Sequence, residues 1–385
     1  MSSTQVATMS SIALMWANLP VVVFAQSVPP PVTNENPAAG KRVSVTAPEY
    51  AGTDVHHTLY LPTDWVPGDT YPVIVEYAPN AYGSMFDGSV EDTQLGFYQS
   101  GGEGFIWVTM PFIETWTDPP RNAPTWWGHG EVIAAEYIKT NLIRILEDYG
   151  GDPASVFLTG FSRGAIAAGQ VGLLNDDIAD IWLGMLPHSH HYQLANNLRR
   201  LSGRPSFVTY GDLALDGGAA SSRIGIQRLK ELQFPVESRE LEGVGHTDEW
   251  IQDDASASSL AVRQEVRDWL ADTIANRPGT NSILGQVRDA AGNPLAGVRI
   301  QSGDTHWTFS DQNGLYELAG LIDGQRVLTA SYPNFEFLDA SRPITLAGSD
   351  LPNQMFVTTT VPETSTCSLL IAAAILLAAG RRNTP

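Results

Sequence analysis

The chain has 385 residues, a length that fits two domains, or one large domain with appendages, better than one small domain. Lys and Arg total 22 against 42 Asp and Glu, and the net charge of −20 excludes a protein that binds nucleic acid through its phosphates. The single cysteine, Cys367, excludes an intramolecular disulfide framework and a zinc site built on several cysteines.

An uncharged apolar run, residues 12–25, lies near the N-terminus and ends in Val23-Phe24-Ala25. Small residues at the last and third-last positions are those that signal peptidase accepts, so we expect a signal peptide over residues 1–25. The run lacks a preceding Lys or Arg, and a disordered tail with an apolar patch is the alternative. Residues 26–40 contain the string VPPPVTNENP, which indicates an extended linker.

Between residues 41 and 277, apolar strands alternate with helical patterns. The predicted strands are 43–47, 56–61, 72–77, 105–111, 156–160, 181–186, 206–210 and 236–241, and the predicted helices are 132–149, a segment from 163, 223–232 and 256–275. Strands separated by helices favour a mostly parallel sheet that is covered on both faces. The predicted fold class is therefore α/β.

The chemistry centres on the pentapeptide Gly160-Phe161-Ser162-Arg163-Gly164, which has the form G-x-S-x-G. A β-rich run enters it and a helix of small residues leaves it, as in a nucleophile elbow. The two glycines leave room for a tight, strained turn that exposes the serine hydroxyl above the carboxyl edge of the sheet. A glycine-rich turn without chemistry is the alternative.

A serine hydroxyl is a poor nucleophile unless a base accepts its proton. His246 lies in the loop after the strand 236–241, where this base is expected. The acid should follow the strand 206–210, in a loop that holds both Asp212 and Asp216. We favour Asp216, which flexible glycines follow, and interpret Asp212 as a turn residue. Asp248 and Glu249 are too close along the chain to His246 and are interpreted as an acidic pair beside a helix.

An oxyanion hole is expected to use the backbone amide of Arg163 and one amide from the loop after the strand 72–77. Pro79 in that loop has no N–H group. We therefore expect Asn80 to supply the second amide, and Ala81 is the next candidate.

Two further segments are predicted to border the site. Residues 111–130 form a long loop with Trp126, Trp127 and His129, whose rings suit stacking on sugar or phenolic groups; a small core of packed tryptophans is the alternative. His188, with His190 and His191, follows the strand 181–186 and is interpreted as pocket wall. Their spacing does not match a metal site, and the prediction includes no metal ion and no cofactor.

Residues 53–275 resemble an α/β-hydrolase of the esterase and prolyl-oligopeptidase-like kind. The run 151–164, GDPASVFLTGFSRG, is similar to the D-P-x-x-(V/I)-x-(L/V)-x-G-x-S-x-G pattern of secreted feruloyl-esterase and polyhydroxyalkanoate-depolymerase relatives. The resemblance implies a serine hydrolase with an acyl-enzyme intermediate. Many relatives have an aspartate three residues after the glycine that ends the preceding strand, where this chain has Ala214.

From residue 281 to 357, short strands alternate with turn signals and predict a small antiparallel β-sandwich. Residues 283–330 resemble the carboxypeptidase regulatory-like domain, and the matching strings are GQVRD, GNPLAGV, SDQNGLY and LAGL. The resemblance implies a transthyretin-like sandwich that serves as a spacer or interaction surface and has no peptidase activity. Residues 277–280 are the predicted linker.

The C-terminal segment, residues 361–385, contains Val361-Pro362-Glu363-Thr364, an apolar run over 367–380, and Arg381-Arg382. It resembles a PEP-CTERM sorting signal, with Thr364 in place of the second proline. This resemblance implies export, processing by an exosortase-type enzyme and membrane contact through the tail. The alternative is an ordinary tail anchor. Both place the bulk of the protein outside the cytoplasm, in the periplasm, in the outer envelope or outside the cell.

Three functions compete. The first is an exported serine hydrolase of carboxylic esters, acting on a polymer or its fragments. The second is a serine peptidase of the prolyl-oligopeptidase type, although the N-terminal stretch is too short for a propeller that would gate peptides. The third is a binding or scaffold protein with an inactive hydrolase fold, which the shifted acid favours.

Overall fold

The computed structural model describes residues 28–190, 195–214 and 217–359. The predicted signal peptide and the predicted sorting signal lie outside the described residues. In the described ranges, no helix combines the length and the apolar composition that a membrane span requires.

The first unit contains a nine-stranded sheet and a small two-stranded one within the described ranges. Its strands are β1 Val32–Thr33, β2 Arg42–Val45, β3 His57–Tyr60, β4 Tyr71–Tyr77, β5 Ile106–Met110, β6 Ile113–Glu114, β7 Arg121–Asn122, β8 Gly151–Phe161, β9 Gly184–His188, β10 Ser206–Gly211 and β11 Val236–Leu241. Its helices are α1 Leu95–Ser100, α2 Glu131–Tyr149, α3 Arg163–Gln170, α4 Asp176–Ala179, α5 Ala195–Leu198, α6 Gly218–Glu231 and α7 Ala257–Asn276.

The strand order of the large sheet is β1-β2-β3-β5-β4-β8-β9-β10-β11. Strand β3 runs antiparallel to both of its neighbours, and the remaining pairs are parallel. This is the order and orientation of an α/β-hydrolase sheet, so the predicted fold class is confirmed. The predicted strand 181–186 is wrong at its start, because residues 181–183 form the turn after α4 and the strand begins at Gly184.

The sheet is buried on both faces. Along β4, Val73 and Val75 belong to the apolar cluster that contains α2 and α3, whereas Ile74 belongs to the cluster that contains α1 and α7. Successive strand residues point to opposite faces, so continuous apolar strands such as β4 need a helical layer on each side. The carboxyl ends of the parallel strands are left free at one edge of the sheet.

The second unit is a β-sandwich. Its strands are β12 Asn281–Arg288, β13 Arg299–Ser302, β14 His306–Phe309, β15 Leu315–Leu321, β16 Gly324–Ser331, β17 Ser341–Leu346 and β18 Leu351–Val357. They form one sheet in the order β15-β12-β18 and another in the order β14-β13-β16-β17. The pairs are antiparallel as predicted, except that β12 and β18, the first and last strands of the unit, run parallel. No hairpin joins these two strands, so the connection between them does not impose an antiparallel direction.

Candidate active site

Ser162 lies at the sharp turn between β8 and α3. Its φ of 54° and ψ of −116° are a strained backbone conformation for a residue other than glycine. A Cβ atom at Gly164 would lie 2.1 Å from the carbonyl oxygen of Tyr77, and one at Gly160 would lie 2.5 Å from the carbonyl carbon of Gly164. The two glycines therefore permit the close approach of β8, α3 and β4 that presents the serine at the carboxyl edge of the sheet.

His246 reaches Ser162 from the loop after β11. Its Nε2 lies 2.8 Å from the Oγ of Ser162, so the serine hydroxyl can donate a hydrogen bond to the neutral ring. The imidazole packs against the ring of Phe161, with centroids 4.9 Å apart, and edge-on against His190, with centroids 5.3 Å apart. This arrangement places a proton acceptor beside a hydroxyl group on a strained turn.

The other ring nitrogen of His246 faces the start of α6. A Cβ atom at Gly218 would lie 2.9 Å from Nδ1 of His246. Asp216, the favoured acid, lies outside the described residues, two positions before this glycine. Asp212, the alternative, is occupied elsewhere, because its Oδ1 accepts a hydrogen bond from the N–H group of Gly243 at 2.8 Å.

Asp248 and Glu249, interpreted from the sequence as an acidic pair beside a helix, lie at the start of a 3-10 helix and differ in exposure. Glu249 is exposed, but Asp248 is only 3% exposed and lies at the start of the 3-10 helix Glu249–Gln252. Burial, together with the negative charge of nearby Glu76, raises the pKa of Asp248 to about 7. A hydrogen bond with Gln94 partly compensates the buried carboxyl group.

The candidate oxyanion amides differ in whether their N–H group already donates a hydrogen bond within the protein. The N–H group of Ala81 donates to the carbonyl oxygen of Pro124 at 2.8 Å, so Ala81 is wrong as a candidate. The side chain of Asn80 bonds the main chain of Trp126 twice: Oδ1 accepts at 2.6 Å and Nδ2 donates at 3.1 Å. The backbone N–H group of Asn80 has no protein acceptor in the described ranges, and that of Arg163 lies in the first turn of α3, where helices leave N–H groups unpaired.

A pocket of about 570 Å³ opens at Ser162 and His246. Trp127 lines it and is 62% exposed, as the sequence predicted for this loop. Trp126 does not line it: this ring is buried, stacks on Phe112 with centroids 4.9 Å apart and donates its indole N–H to the carbonyl of His129. His129 is exposed but lies outside the pocket. Adjacent residues of the loop point apart, so one tryptophan joins the core and the other the pocket.

Sequence reasoning missed several lining residues. They are Tyr82, Met85, Phe86 and Leu213, three of which are more than half exposed. Tyr82 follows the predicted oxyanion amides along the chain, which is a signal that the sequence offered. Met85 and Phe86 reach the pocket only because the loop doubles back, where the N–H group of Tyr82 bonds the carbonyl oxygen of Phe86 at 2.9 Å.

His188 is a buried support and does not form the pocket wall. Its Nδ1 lies 2.8 Å from the Oγ1 of Thr209, and its Nε2 lies 3.0 Å from the indole nitrogen of Trp250 and 2.9 Å from the carbonyl oxygen of Thr247. Burial lowers the pKa of His188 to about 4, so the ring is neutral at pH 7. Depending on the tautomer, Nε2 either accepts the indole N–H of Trp250 or donates to the carbonyl oxygen of Thr247. These contacts attach the loop that carries His246 to the end of the sheet.

The remaining histidines of that segment differ in position. His190 lines the pocket, whereas His191 lies outside the described residues. Within the part of the chain that the structure describes, no group of three or more His, Cys, Asp or Glu side chains is arranged to hold a metal ion.

Comparisons with known proteins find relatives of parts of the chain. Residues 282–356 match the carboxypeptidase regulatory-like domain family, which confirms that resemblance of the sandwich. Human carboxylesterase 5A is 26% identical over 155 residues, which cover 37% of this chain and 26% of that protein. The chain therefore spans about a quarter of the length of this curated relative.

Solved structures with a similar chain path include several esterases. An arylesterase is 14% identical with a TM-score of 0.45, and the aligned region covers 65% of this chain and 89% of the arylesterase chain. A ferulic acid esterase is 15% identical with a TM-score of 0.42 and covers 60% of this chain and 97% of its own. A thermostable esterase is 15% identical with a TM-score of 0.42 and covers 58% of this chain and 62% of its own.

Proposed function

We propose that this protein is a serine hydrolase that cleaves carboxylic esters. The observation that carries the proposal is the 2.8 Å contact between the Oγ of Ser162 and the Nε2 of His246 on a strained strand-to-helix turn. A residue at φ 54° costs folding free energy, and such strain beside a base is typical of a reactive residue. The similarity to carboxylesterase 5A supports an ester as substrate.

In the proposed reaction, His246 accepts the hydroxyl proton as the Oγ of Ser162 attacks the ester carbonyl carbon. The amides of Arg163 and Asn80 donate hydrogen bonds to the oxyanion that forms. Collapse of this intermediate expels the alcohol, which takes the proton from His246, and leaves an acyl group on Ser162. Water then repeats the sequence with His246 as base and releases the acid.

We assign the third role to Asp216. The Nδ1 atom of His246 faces Gly218 at the start of α6, two positions after this residue, whereas Asp212 already accepts a hydrogen bond from the N–H group of Gly243. A carboxylate at Nδ1 holds the ring in the tautomer that leaves Nε2 free to accept a proton, and it stabilises the imidazolium that forms. Many relatives have the acid at the position of Ala214. In this chain the loop would take a different path, and the carboxylate of Asp216 would play the same part in catalysis.

A fluorophosphonate probe tests the nucleophile, because it labels only an activated serine. We expect labelling of the full chain and hydrolysis of para-nitrophenyl acetate, and we expect Ser162→Ala to lose both while keeping its circular dichroism spectrum. Absence of labelling in the wild-type chain would favour the inactive scaffold. Faster cleavage of a proline amide than of the acetate would favour the peptidase.

We also propose that the protein is exported and acts on esters of a polymer or its fragments. The apolar run over 12–25 with its Val-Phe-Ala site and the tail over 361–385 support export. Intact-mass measurement on protein from the native cell envelope is the test. We expect a chain without residues 1–25 and without the segment beyond about Pro362, and full-length protein in the cytosol would contradict the proposal.

A further inference from the structure

Arg163, the residue after the proposed nucleophile, stacks on Trp127. The guanidinium carbon lies 4.1 Å from the centroid of the indole ring, and both side chains line the pocket beside Ser162. Trp127 projects from the loop before α2, whereas Arg163 begins α3. The stack therefore fixes a positive charge at the mouth of the pocket, because a guanidinium on an indole face has few alternative positions.

This guanidinium differs from the other stacked arginines of the molecule. Seven arginines lie over aromatic rings in the described ranges, and six of them donate hydrogen bonds to a carbonyl or carboxylate oxygen. The six are Arg42, Arg223, Arg239, Arg263, Arg299 and Arg342. Arg163 forms no hydrogen bond and no ion pair through its side chain with any residue that the structure describes. Its five N–H donors therefore have no acceptor among the described residues, in a side chain that lines the pocket.

The other described lining residues carry no permanent charge. They are apolar, aromatic or neutral polar, and four of them are Tyr82, Met85, Phe86 and Leu213. A chain with 42 acidic residues offers many carboxylates that could have paired with this cation, yet none in the described ranges does. Arg163 is partly buried, which desolvates the charge and lowers its pKa, although arginine remains protonated. A bound anion would offset that desolvation.

We propose that Arg163, held by Trp127, binds a carboxylate group on the substrate, so that the enzyme prefers anionic esters over neutral ones of the same shape. This inference rests on the proposed function and names the substrate class of the same site. The guanidinium matches a carboxylate through two parallel N–H···O bonds, and the apolar wall accommodates a ring or chain between the carboxylate and the ester.

Two matched pairs of small esters test the preference. Methyl para-carboxybenzoate against methyl para-carbamoylbenzoate places the charge on the acyl side, and para-acetoxybenzoate against para-acetoxybenzamide places it on the alcohol side. We expect kcat/KM to favour the charged member of one pair by about tenfold at low ionic strength, and less in high salt, because salt screens an exposed pair. The responding pair identifies which side of the ester carries the carboxylate.

Substitutions of Arg163 and Trp127 test whether their stacked side chains cause the preference for charged esters. Arg163→Gln should reduce the ratio of kcat/KM between charged and neutral esters to about twofold or less, and Arg163→Lys should retain part of it, since lysine keeps the charge without the planar fork. Trp127→Ala should lower the ratio and Trp127→Phe should preserve more of it. Arg299→Gln is the matched control. Arg299 also stacks on a tryptophan, Trp307, but neither residue lines the pocket, and the substitution removes the same charge from the chain. Its ratio should equal that of the wild type.

Two results would overturn the inference. One is an equal kcat/KM for the charged and neutral members of both pairs in the wild type, and the other is a preference that survives Arg163→Gln. Calorimetric binding of para-hydroxybenzoate against para-hydroxybenzamide gives a measurement without turnover. If the wild type hydrolyses no ester but still binds the benzoate more tightly through Arg163, then the proposed function fails and the anion subsite stands. If the wild type hydrolyses neutral esters and binds both compounds equally, then the proposed function stands and the anion subsite fails.

Discussion

The large sheet has a carboxyl edge, where its parallel strands end, and an amino edge, where they begin. Within the described ranges, an arginine side chain is unpaired at the first and paired with a carboxylate at the second. At the carboxyl edge, Arg163 stacks on Trp127 without a carboxylate partner among the described residues, beside a half-exposed serine and histidine. At the amino edge, Arg326 of the sandwich reaches Asp180 of the first unit through two hydrogen bonds of 2.8 and 2.7 Å. An unpaired charge at an open pocket suits a small-molecule partner that exchanges, whereas a paired and partly buried charge suits a permanent contact between units.

The amino edge is closed by packing as well as by charge. Trp307 of the sandwich belongs to the apolar core of the first unit, and Gly320 approaches the backbone of Ala154 so closely that a Cβ atom there would lie 3.1 Å from its Cα. Burial would raise the pKa of Asp180, but the hydrogen bonds of Arg326 and the charges around it lower that pKa below its usual value. The sandwich therefore covers the edge of the sheet opposite to the candidate active site.

The largest expected effect concerns the carboxyl edge and changes rate alone. Asp216→Asn should reduce kcat for para-nitrophenyl acetate by about 10³–10⁴-fold, because the amide favours the wrong tautomer of His246. The melting temperature should change little, since a nearly isosteric residue replaces the carboxylate. Steady-state kinetics and a thermal melt on the same preparation are the measurements. A variant with wild-type turnover would place the acid elsewhere.

At the amino edge, a substitution should change stability alone. Arg326→Met leaves the partly buried carboxylate of Asp180 without its main partner; the loss of unfolding free energy should approach the roughly 3–5 kcal/mol that is typical of a fully buried pair. Chemical denaturation measures the loss, and kcat/KM on a small ester should stay within about twofold of the wild type. Arg342→Met is the matched control, because its ion pair with Asp339 is more exposed. A loss of activity with unchanged stability would show that the two edges are coupled.

Asp248 is buried in the loop after β11 and makes stability depend on pH. Its folded pKa of about 7 exceeds the ordinary value of 3.8, so its contribution is fully present below about pH 3.8 and is lost as the pH rises through 7. Asp248→Asn should therefore stabilise the protein by about 2–4 kcal/mol at pH 8 and by little near pH 4. Denaturation midpoints of both chains across that range test the sign. A gain that is the same at every pH would contradict it.

The smallest effect belongs to Asp212. Asp212→Asn weakens the acceptor for the N–H group of Gly243, and the loss of unfolding free energy should be about 1 kcal/mol. The rate should fall far less than in Asp216→Asn, because this carboxylate stabilises the turn after β11. If Asp212→Asn were instead the slower enzyme, the two assignments would be exchanged.

The sequence by itself determined the features that depend on a few neighbouring residues. Strand and helix periodicity predicted the α/β order, and G-x-S-x-G between a strand and a small-residue helix predicted the elbow at Ser162. The place of His246 after the strand that ends at Leu241 followed from chain order. Turn signals likewise predicted the sandwich, whose family match confirms it. Local conformational preferences and chain order suffice for such features, because neither requires knowledge of distant contacts.

Only the tertiary structure decided which neighbours of these residues face the pocket and which are buried. Trp126 is buried whereas Trp127 is exposed, and the amide of Ala81 is hydrogen-bonded to the carbonyl oxygen of Pro124. His188 does not line the pocket and instead contacts the loop that carries His246. Each outcome depends on the path of a loop and on contacts between residues far apart in the chain. Periodicity carries no information about such contacts, since the packing of several elements selects one loop path among many that the sequence allows locally.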